Sequence, residues 1–216
     1  MKMSQVTMLI DLDRCTGCHT CTLACQMEKG LAPGEALIPV STVGGRQDVP
    51  QGVFPALHMD YLPRPCAHCR KPACAASCPT GALCQRTDGL VTVDAGLCTG
   101  CRLCLDACPY GAIIMDGEDI AHKCDLCASR LDQRLEPFCA MCCPTRAISV
   151  ARSKRADEGR APAPQLGAEP ALRYLTRDEE RWRRVSEELA SPAAGGRGDG
   201  TASPAGRSCI ERRSGS

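Results

Sequence analysis

The sequence predicts an α+β fold made of small sheets and short helices, and three observations indicate it. Short strand-like segments, such as "TMLIDLD" at 7–13 and "GLVTVDA" at 89–95, lead directly into cysteine-rich loops. The 216 residues include 19 cysteines, far above ordinary usage. Two Phe, three Tyr and one Trp are the only aromatic residues. Because so few large rings are present, something other than aromatic packing must organise the interior.

Most of the cysteines fall into four groups, and the spacing within the groups repeats. In the first and third groups, "CTGCHTCTLAC" and "CTGCRLCLDAC", the spacing is C-x2-C-x2-C-x3-C, which marks an internal repeat. In the second group one gap widens to four residues, and in the fourth to eleven. The groups are Cys15, Cys18, Cys21 and Cys25; Cys66, Cys69, Cys74 and Cys78; Cys98, Cys101, Cys104 and Cys108; and Cys124, Cys127, Cys139 and Cys143. The phrases "CPTGAL", "CPYGAI" and "CPTRAI" end the last three groups and predict a common turn into a strand. The segment "AIIMDGEDIAHKC" at 112–124 predicts a hairpin that turns near Gly117 before the fourth group, and short helical turns are expected after each group.

This spacing is typical of cubane iron–sulfur clusters. Three thiols separated by two residues each can wrap one corner of such a cluster, while the short loops point backbone N–H groups at its sulfides. A helical turn then carries the fourth cysteine towards a second cluster, and the proline that follows ends this turn. Four complete groups therefore predict four [4Fe–4S] clusters.

Two other interpretations of the cysteines compete with this one. A single C-x2-C pair is more often half of a zinc site, but four complete groups, three of them followed by proline, favour clusters. A disulfide framework is the least favoured, because closely spaced cysteines in a reducing cytoplasm have little reason to oxidise. The three remaining thiols, Cys84, Cys142 and Cys209, are expected to be spare. Cys143 is preferred to Cys142 as a ligand because it precedes the proline.

The rest of the chain supports neither catalysis nor nucleic-acid binding. No nucleophile–base pair, phosphate loop or paired-carboxylate motif stands out, so no catalytic residue is predicted. The formal net charge of +1 lacks the basic excess of nucleic-acid-binding proteins. Neither a signal peptide, nor a twin-arginine motif, nor a membrane span is apparent. We expect the chain to be cytoplasmic, or exported in folded form with a signal-bearing partner.

The order of the four spacings resembles the four-cluster ferredoxin-type subunit of molybdopterin oxidoreductases. That family includes the electron-transfer subunits of dimethyl sulfoxide, polysulfide, thiosulfate and tetrathionate reductases and of formate dehydrogenases. The resemblance covers residues 7–150 and implies two ferredoxin-like dicluster modules within a domain at 1–150. The implied parts are an outer module from 7–29 and 118–150, an inner module at 62–117 and an insertion at 30–61, followed by a low-complexity tail at 151–216.

The resemblance also implies that the ligands cross between the groups. The implied ligand sets, named A to D here, are Cys15, Cys18, Cys21 and Cys143 (set A); Cys25, Cys124, Cys127 and Cys139 (set B); Cys66, Cys69, Cys74 and Cys108 (set C); and Cys78, Cys98, Cys101 and Cys104 (set D). Some relatives replace one ligand of the third group and carry a three-iron cluster. Because Cys101 is intact here, four [4Fe–4S] clusters are expected.

Several segments outside the cysteine pattern keep two interpretations each. The insertion at 30–61 is either a cover for a partner's surface or an ordinary surface loop. The tail should be largely disordered apart from a helix at 176–189, which Thr176 and Glu179 would cap. This helix either folds back on its own core or clamps a partner. All four histidines, together with Lys123, are expected to be solvent-exposed. Alternatively, His19 and His68, which lie inside cluster loops, and Lys123, which precedes Cys124, would raise the potential of a cluster through a hydrogen bond to sulfur or a nearby positive charge.

Clusters held by four thiolates have no open site for a substrate, which limits the predicted function. We expect a non-catalytic subunit that relays single electrons between a molybdenum or tungsten bis-pterin catalytic subunit and a redox partner. That partner would be a membrane quinone-linked subunit or a soluble donor or acceptor. The alternatives are a free polyferredoxin carrier, an iron–sulfur subunit of a hydrogenase-type complex, and a structural or regulatory cluster or zinc protein.

Overall fold

The computed structural model describes residues 5–44, 49–152, 159–160 and 168–190. Strands and helices are short and mixed along the chain, which confirms the α+β prediction. The strands are β1 (Thr7–Asp11), β2 (Val40–Thr42), β3 (Tyr61–Pro63), β4 (Leu83–Gln85), β5 (Val91–Val93), β6 (Ile113–Met115), β7 (Ala121–Lys123), β8 (Ile148–Ala151) and β9 (Arg173–Leu175). The helices are α1 (Thr20–Lys29), α2 (Ala73–Ala76), α3 (Leu103–Ala107), α4 (Ala128–Asp132), α5 (Phe138–Cys142) and α6 (Glu179–Ala190), with a 3-10 turn at Ala95–Leu97.

The sheets are small, and most are hairpins. β1 is the middle strand of a three-stranded sheet, antiparallel to β8 and parallel to β9. The pairs β2–β3, β4–β5 and β6–β7 are antiparallel and two-stranded. The hairpin predicted at 112–124 is β6–β7, and the carboxylate of Asp116 organises its turn by accepting the N–H groups of Glu118 and Ile120 at 2.9 Å each. The strands predicted at 7–13 and 89–95 contain β1 and β5.

Four of the helices contain cysteines of the four groups. α1 contains Cys21 and Cys25, and α2, α3 and α5 contain Cys74, Cys104 and Cys139. The expectation that helical turns follow each group is therefore wrong. The residue before a proline avoids the α conformation, so these helices end before the fourth cysteine of their group. No proline follows Cys25, and α1 accordingly continues to Lys29.

A common turn follows the fourth cysteine of the last three groups, as predicted. When the cysteine is counted as the first residue of the turn, the fourth residue is Gly81, Gly111 or Arg146, with φ of 67°, 58° and 54°. Each turn then leads into a strand, β4, β6 or β8 respectively. Positive φ costs glycine little, but a residue with a Cβ atom is strained there. The third copy of the turn therefore holds an arginine in a conformation that the other two copies assign to glycine.

Replacing Arg146 by glycine is expected to stabilise the iron-loaded protein by about 0.5–1 kcal/mol, because relief of the left-handed strain exceeds the entropy cost of glycine. For a chain of this length, the apparent midpoint of thermal cluster loss should rise by about 1–4 °C. The visible absorbance of the clusters would follow the transition. Arg146→Ala is the control, since it removes the guanidinium but keeps the strained Cβ. A gain of the same size in Arg146→Ala would contradict the assignment to backbone strain.

Buried thiols form a large part of the interior. The main apolar core contains residues of β1, β2 and β8 together with Cys21, Cys25, Cys66, Cys124 and Cys139. A second core gathers Leu83, Val91 and Ile113 around Cys74 and Cys104. The cysteines therefore occupy positions that aromatic side chains fill in most proteins of this size.

The segment 168–190 packs on the rest of the fold, so the predicted disorder is wrong for residues 168–175 of the tail, whereas α6 overlaps the helix predicted at 176–189. β9 extends the sheet of β1, and Val185 of α6 is fully buried in the main core. Trp182 and Leu189 pack against the same core, so α6 folds back on its own chain. Asp178, rather than Thr176, caps the helix by accepting the N–H groups of Glu180 and Arg181. Residues 191–216 lie outside the described residues.

A buried carboxylate anchors α6. The side chain of Asp60 is 1% exposed, and its carboxylate accepts hydrogen bonds from the Nε atoms of Arg181 and Arg184 at 2.7 Å each. The two arginines are three residues apart, so they lie on one face of the helix. Although burial opposes ionisation, the hydrogen bonds from Arg184 and Arg181 hold the pKa of Asp60 below its ordinary value. The anchor is therefore ionised at neutral pH.

Asp60→Asn is expected to destabilise the docking of α6 by about 2–3 kcal/mol, because it removes the charge that two partly buried arginines share. Limited proteolysis of the iron-loaded protein should then release α6 peptides about 30- to 150-fold faster. Glu180→Gln is the control, since this carboxylate is 81% exposed and lies 4.0 Å from Arg184. Equal cleavage rates in Asp60→Asn and wild type would rule out the anchor.

Candidate metal centres

The fold brings the predicted ligands together from distant parts of the chain. α1 packs against α5, and α2 packs against α3. The first contact joins the first and fourth cysteine groups, and the second contact joins the second and third. The thiols can therefore be followed set by set.

Thiols of set A come from both ends of the cysteine-rich region. Burial, together with the thiols of Cys15, Cys143 and Cys18, raises the pKa of Cys21 to about 11. Burial also raises the pKa of Cys15, and Cys143 adds to this effect. Cys18 is the exposed member of the set. Cys143 thus lies beside the first three cysteines of the chain.

Set B is the most deeply enclosed set. Burial raises the pKa of Cys139, and the neighbouring thiols of Cys124, Cys127 and Cys25 add to the rise. These four thiols line one pocket. The members of this set come from α1, from the loop after β7 and from α5.

In set C, burial raises the pKa of Cys69 to about 12, and Cys66 and Cys108 contribute after it. Burial likewise raises the pKa of Cys74, again with Cys66, Cys108 and Cys69 as neighbours. Three members come from the second cysteine group and one from the third, because α2 lies against α3. The ligand assignment of set C that the resemblance implies stays a prediction.

Set D likewise combines one thiol of the second cysteine group with three thiols of the third. Burial raises the pKa of Cys104 to about 11, and the thiols of Cys101, Cys78 and Cys98 add smaller effects. All four line a second pocket. Cys101 is exposed, like Cys18 in set A.

The thiols suit a group larger than a single ion. Within the described part of the chain, no three His, Cys, Asp or Glu side chains converge to hold one metal ion. The thiols of sets B and D instead line two pockets, four thiols to each. Four thiolates around such a space are the donor set of a [4Fe–4S] cluster. The residues present therefore fit clusters of this kind.

Backbone N–H groups face the first cysteine of the first, second and fourth groups, and one backbone conformation is repeated in all four. The residue before the second cysteine has positive φ in all four groups, namely Gly17, His68, Gly100 and Leu126, with φ of 67°, 42°, 68° and 57°. The N–H of His68 lies 3.5 Å from Cys66 Sγ, and that of Leu126 lies 3.4 Å from Cys124 Sγ. Loops of this kind form concavities that bind anions. They are suited to a cluster whose thiolate ligands carry negative charge.

The turn after the fourth cysteine adds further donors. The N–H of Ala147 lies 3.3 Å from Cys143 Sγ, and the N–H of Ala112 lies 3.5 Å from Cys108 Sγ. Burial opposes ionisation of Cys143, but hydrogen bonds from Thr145, Ala147 and Ile148 lower its pKa overall. The turn predicted from the "CP" phrases therefore presents each sulfur with donors.

Two buried polar side chains contradict the expectation of solvent exposure. His68 is 2% exposed, and its Nδ1 atom accepts the N–H of Val91 at 3.2 Å. Burial, and then the charge of Lys123, lowers the pKa of His68 well below its ordinary value. Lys123 itself is 5% exposed. His19 is exposed, as expected. Alignment of the four groups could have indicated His68, since it occupies the position of Gly17 and Gly100.

The spare thiols have different outcomes. Cys142 is a free, partly buried thiol at the end of α5, as expected. Cys84, on β4, is disulfide-bonded, so the prediction of a spare thiol there is wrong. Cys209 lies outside the described residues.

Family models of known cluster proteins match this chain. The model described as a 4Fe-4S dicluster domain matches residues 57–153, and the one described as a 4Fe-4S binding domain matches residues 6–27. Together with the cysteine sets, these matches define the chain as a [4Fe–4S] cluster-binding protein. The described helices include none long and apolar enough to cross a membrane.

Curated relatives narrow the class to one family. The chain is 34% identical to a subunit of the sulfite dehydrogenase of Allochromatium vinosum, over 87% of this chain and 89% of that protein. It is 41% identical to a component of the anaerobic dimethyl sulfoxide reductase of Escherichia coli, over 67% and 72%. It is 35% identical to a subunit of the tetrathionate reductase of Salmonella typhimurium, over 80% and 72%. The chain belongs to the family of iron–sulfur electron-transfer subunits of molybdopterin oxidoreductases.

Proposed function

We propose that this chain holds four [4Fe–4S] clusters, one in each of sets A to D, and relays single electrons through them. The observation that supports the proposal is that the fold brings the first cysteine group beside the fourth and the second beside the third, with the thiols of sets B and D lining two pockets. A [4Fe–4S] cluster with four thiolates transfers one electron and has no open site for a substrate. The chain's own residues then bind the clusters, supply hydrogen bonds to sulfur and exclude water. The proposed subunit is accordingly non-catalytic.

The contacts between sets support the order A–B–C–D. Set A adjoins set B, since the thiol of Cys21 acts on Cys139. Set C adjoins set D, because Cys74 and Cys104 share the second apolar core. Lys123 acts on thiols of both set B and set C. Sets A and B would form the outer module and sets C and D the inner module, within a domain at 1–150.

The two exposed thiols mark the proposed ends of the pathway. Cys18 of set A and Cys101 of set D are exposed, whereas sets B and C contain no exposed thiol. Electrons would enter at one end and leave at the other. We propose that one end faces a molybdenum or tungsten bis-pterin catalytic subunit. The other end would face a quinone-linked membrane subunit or a soluble partner. The complex would be cytoplasmic, or exported in folded form with a signal-bearing partner.

The insertion at 30–61 is a candidate for contact with the catalytic subunit. Val53 and Phe54 lie at its surface with 81% and 83% of their side-chain area exposed. Gln51 and His58 form a β-bridge that closes this loop, with N–H to O distances of 2.8 and 2.9 Å. Two large apolar side chains on an ordered loop are more typical of an interaction site than of free surface.

Copurification tests the assignment as a subunit. Affinity-tagged chain, expressed in its native host under anaerobic conditions, should retain a large chain that contains molybdenum or tungsten and pterin. Val53→Ser combined with Phe54→Ser should weaken this retention while the iron content stays unchanged. Recovery of the iron-loaded chain without any pterin-containing partner would instead favour a free polyferredoxin carrier.

A further inference from the structure

Lys123 is buried in an unusual environment for a lysine. It lies at the end of β7, and its Nζ atom donates hydrogen bonds to the carbonyl oxygens of Val91 and Cys124, the latter at 2.7 Å. Val91 belongs to β5 and Cys124 to the loop of set B, so the ammonium joins two parts of the fold. Both acceptors in the described part of the chain are backbone carbonyls, which carry no net charge.

A buried ammonium is costly unless anions lie near it. Two sets of thiols supply them here. Lys123 acts electrostatically on Cys69, Cys74 and Cys108 of set C and on Cys124 of set B. The charge therefore lies where these two sets approach each other, and bound clusters would be its main counter-charges.

Lys29 is a second lysine close to a set of thiols, but its surroundings differ from those of Lys123. It lies beside set B, but its Nζ atom forms an ion pair with Asp125 at 2.7 Å. That carboxylate neutralises the ammonium locally, and both side chains are partly exposed, so water screens them as well. Among the residues that the structure describes, no carboxylate accepts a hydrogen bond from Lys123, which is only 5% exposed.

We infer that Lys123 is a fixed positive charge shared by the clusters of sets B and C, and that it raises the reduction potentials of both. The inference rests on the proposed function. Reduction adds one negative charge to a cluster, and a nearby cation stabilises the reduced form more than the oxidised form. When one electron crosses between these clusters, one is oxidised and the other is reduced. The lysine thus favours the presence of the electron in the middle of the pathway.

Lys123→Gln tests the inference in the complete iron-loaded protein. Glutamine keeps an N–H donor for the carbonyls but removes the charge. In redox titrations followed by low-temperature EPR, two of the four clusters should become harder to reduce. Their ratio of reduced to oxidised form at a fixed potential should fall about tenfold or more, which corresponds to about 59 mV for a one-electron couple. The other two clusters should keep their potentials.

Two further variants keep the test decisive. Lys71→Gln is the matched control, because Lys71 follows Cys69 closely but is 72% exposed and paired with Glu169, so its loss should leave all potentials unchanged. Lys123→Arg keeps the charge and should retain wild-type potentials. Unchanged potentials in Lys123→Gln would overturn the inference. If Lys123→Gln loses iron, Lys123→Arg decides alone, since a downward shift in that variant would overturn it. Wild-type protein with fewer than four clusters would instead refute the proposed function.

Discussion

Iron-free protein is expected to show no cooperative thermal unfolding, whereas the iron-loaded protein should unfold in one steep transition. Buried thiols belong to both apolar cores, and the thiols of sets B and D line two pockets. Without bound clusters these thiols would have no ligand to organise them, and the few aromatic residues cannot compensate. Cluster binding should therefore supply most of the free energy of folding. Circular dichroism at increasing temperature is the measurement.

Reconstitution provides the control for this experiment. Adding iron and sulfide back under anaerobic conditions should restore both the visible absorbance and the cooperative transition. A cooperative transition in the iron-free chain, near the temperature of the loaded protein, would mean that side-chain packing alone specifies the fold.

Cys143→Ala is expected to remove or damage one cluster, while Cys142→Ala leaves all four intact. Cys143 lies beside Cys15 and Cys21 and receives the N–H of Ala147. Cys142 is the neighbouring residue and makes a matched control for the loss of a thiol. Iron per chain should fall by about one to four in Cys143→Ala, depending on whether a three-iron cluster survives. Loss of iron in Cys142→Ala instead would shift the ligand assignment by one residue.

Because each cluster is predicted to take its ligands from two cysteine groups, a second test of the assignment is possible. Cys15 and Cys143 are 128 residues apart in sequence. The variants Cys15→Ala and Cys143→Ala should nevertheless abolish the same EPR signal. The double variant should lose no more than that one cluster, because both residues serve set A. Cys139→Ala should abolish a different signal, since Cys139 lies with set B. Additive losses in the double variant would contradict the exchange of ligands between groups.

The local structure of the cysteine groups could be predicted because the repeats restrict the backbone. Gly17 and Gly100 indicate the positive φ of the loop, and the prolines indicate where the helices end. Leu126 adopts the same conformation without glycine. The hairpin at 112–124 was likewise visible from its alternating pattern and turn.

The docked tail could not be predicted from composition. Residues after 151 are rich in Ala, Pro, Gly and charge, which locally favours disorder. The interactions that order 168–190 are long-range. β9 pairs with β1, and Arg181 and Arg184 bind Asp60 more than 120 positions earlier. No local pattern marks such pairings, although the apolar face of α6 indicated that the helix needed a partner surface.

Lys123 and His68 were missed because charge and polarity usually indicate solvent exposure. Their burial depends on where β5 lies against β7 and the second cysteine group, which local sequence does not specify. Burial of polar residues beside cofactor sites is a frequent exception to the rule, and it occurs here next to sets B and C.

Iron and acid-labile sulfide per chain, measured on anaerobically purified protein together with low-temperature EPR after reduction by dithionite, test the central claim most directly. Four clusters predict about sixteen iron atoms and about sixteen sulfides, with interacting signals from reduced [4Fe–4S] centres. Zinc in place of iron, or only about eight iron atoms in fully loaded protein, would contradict the proposal that each of the four thiol sets holds a cluster.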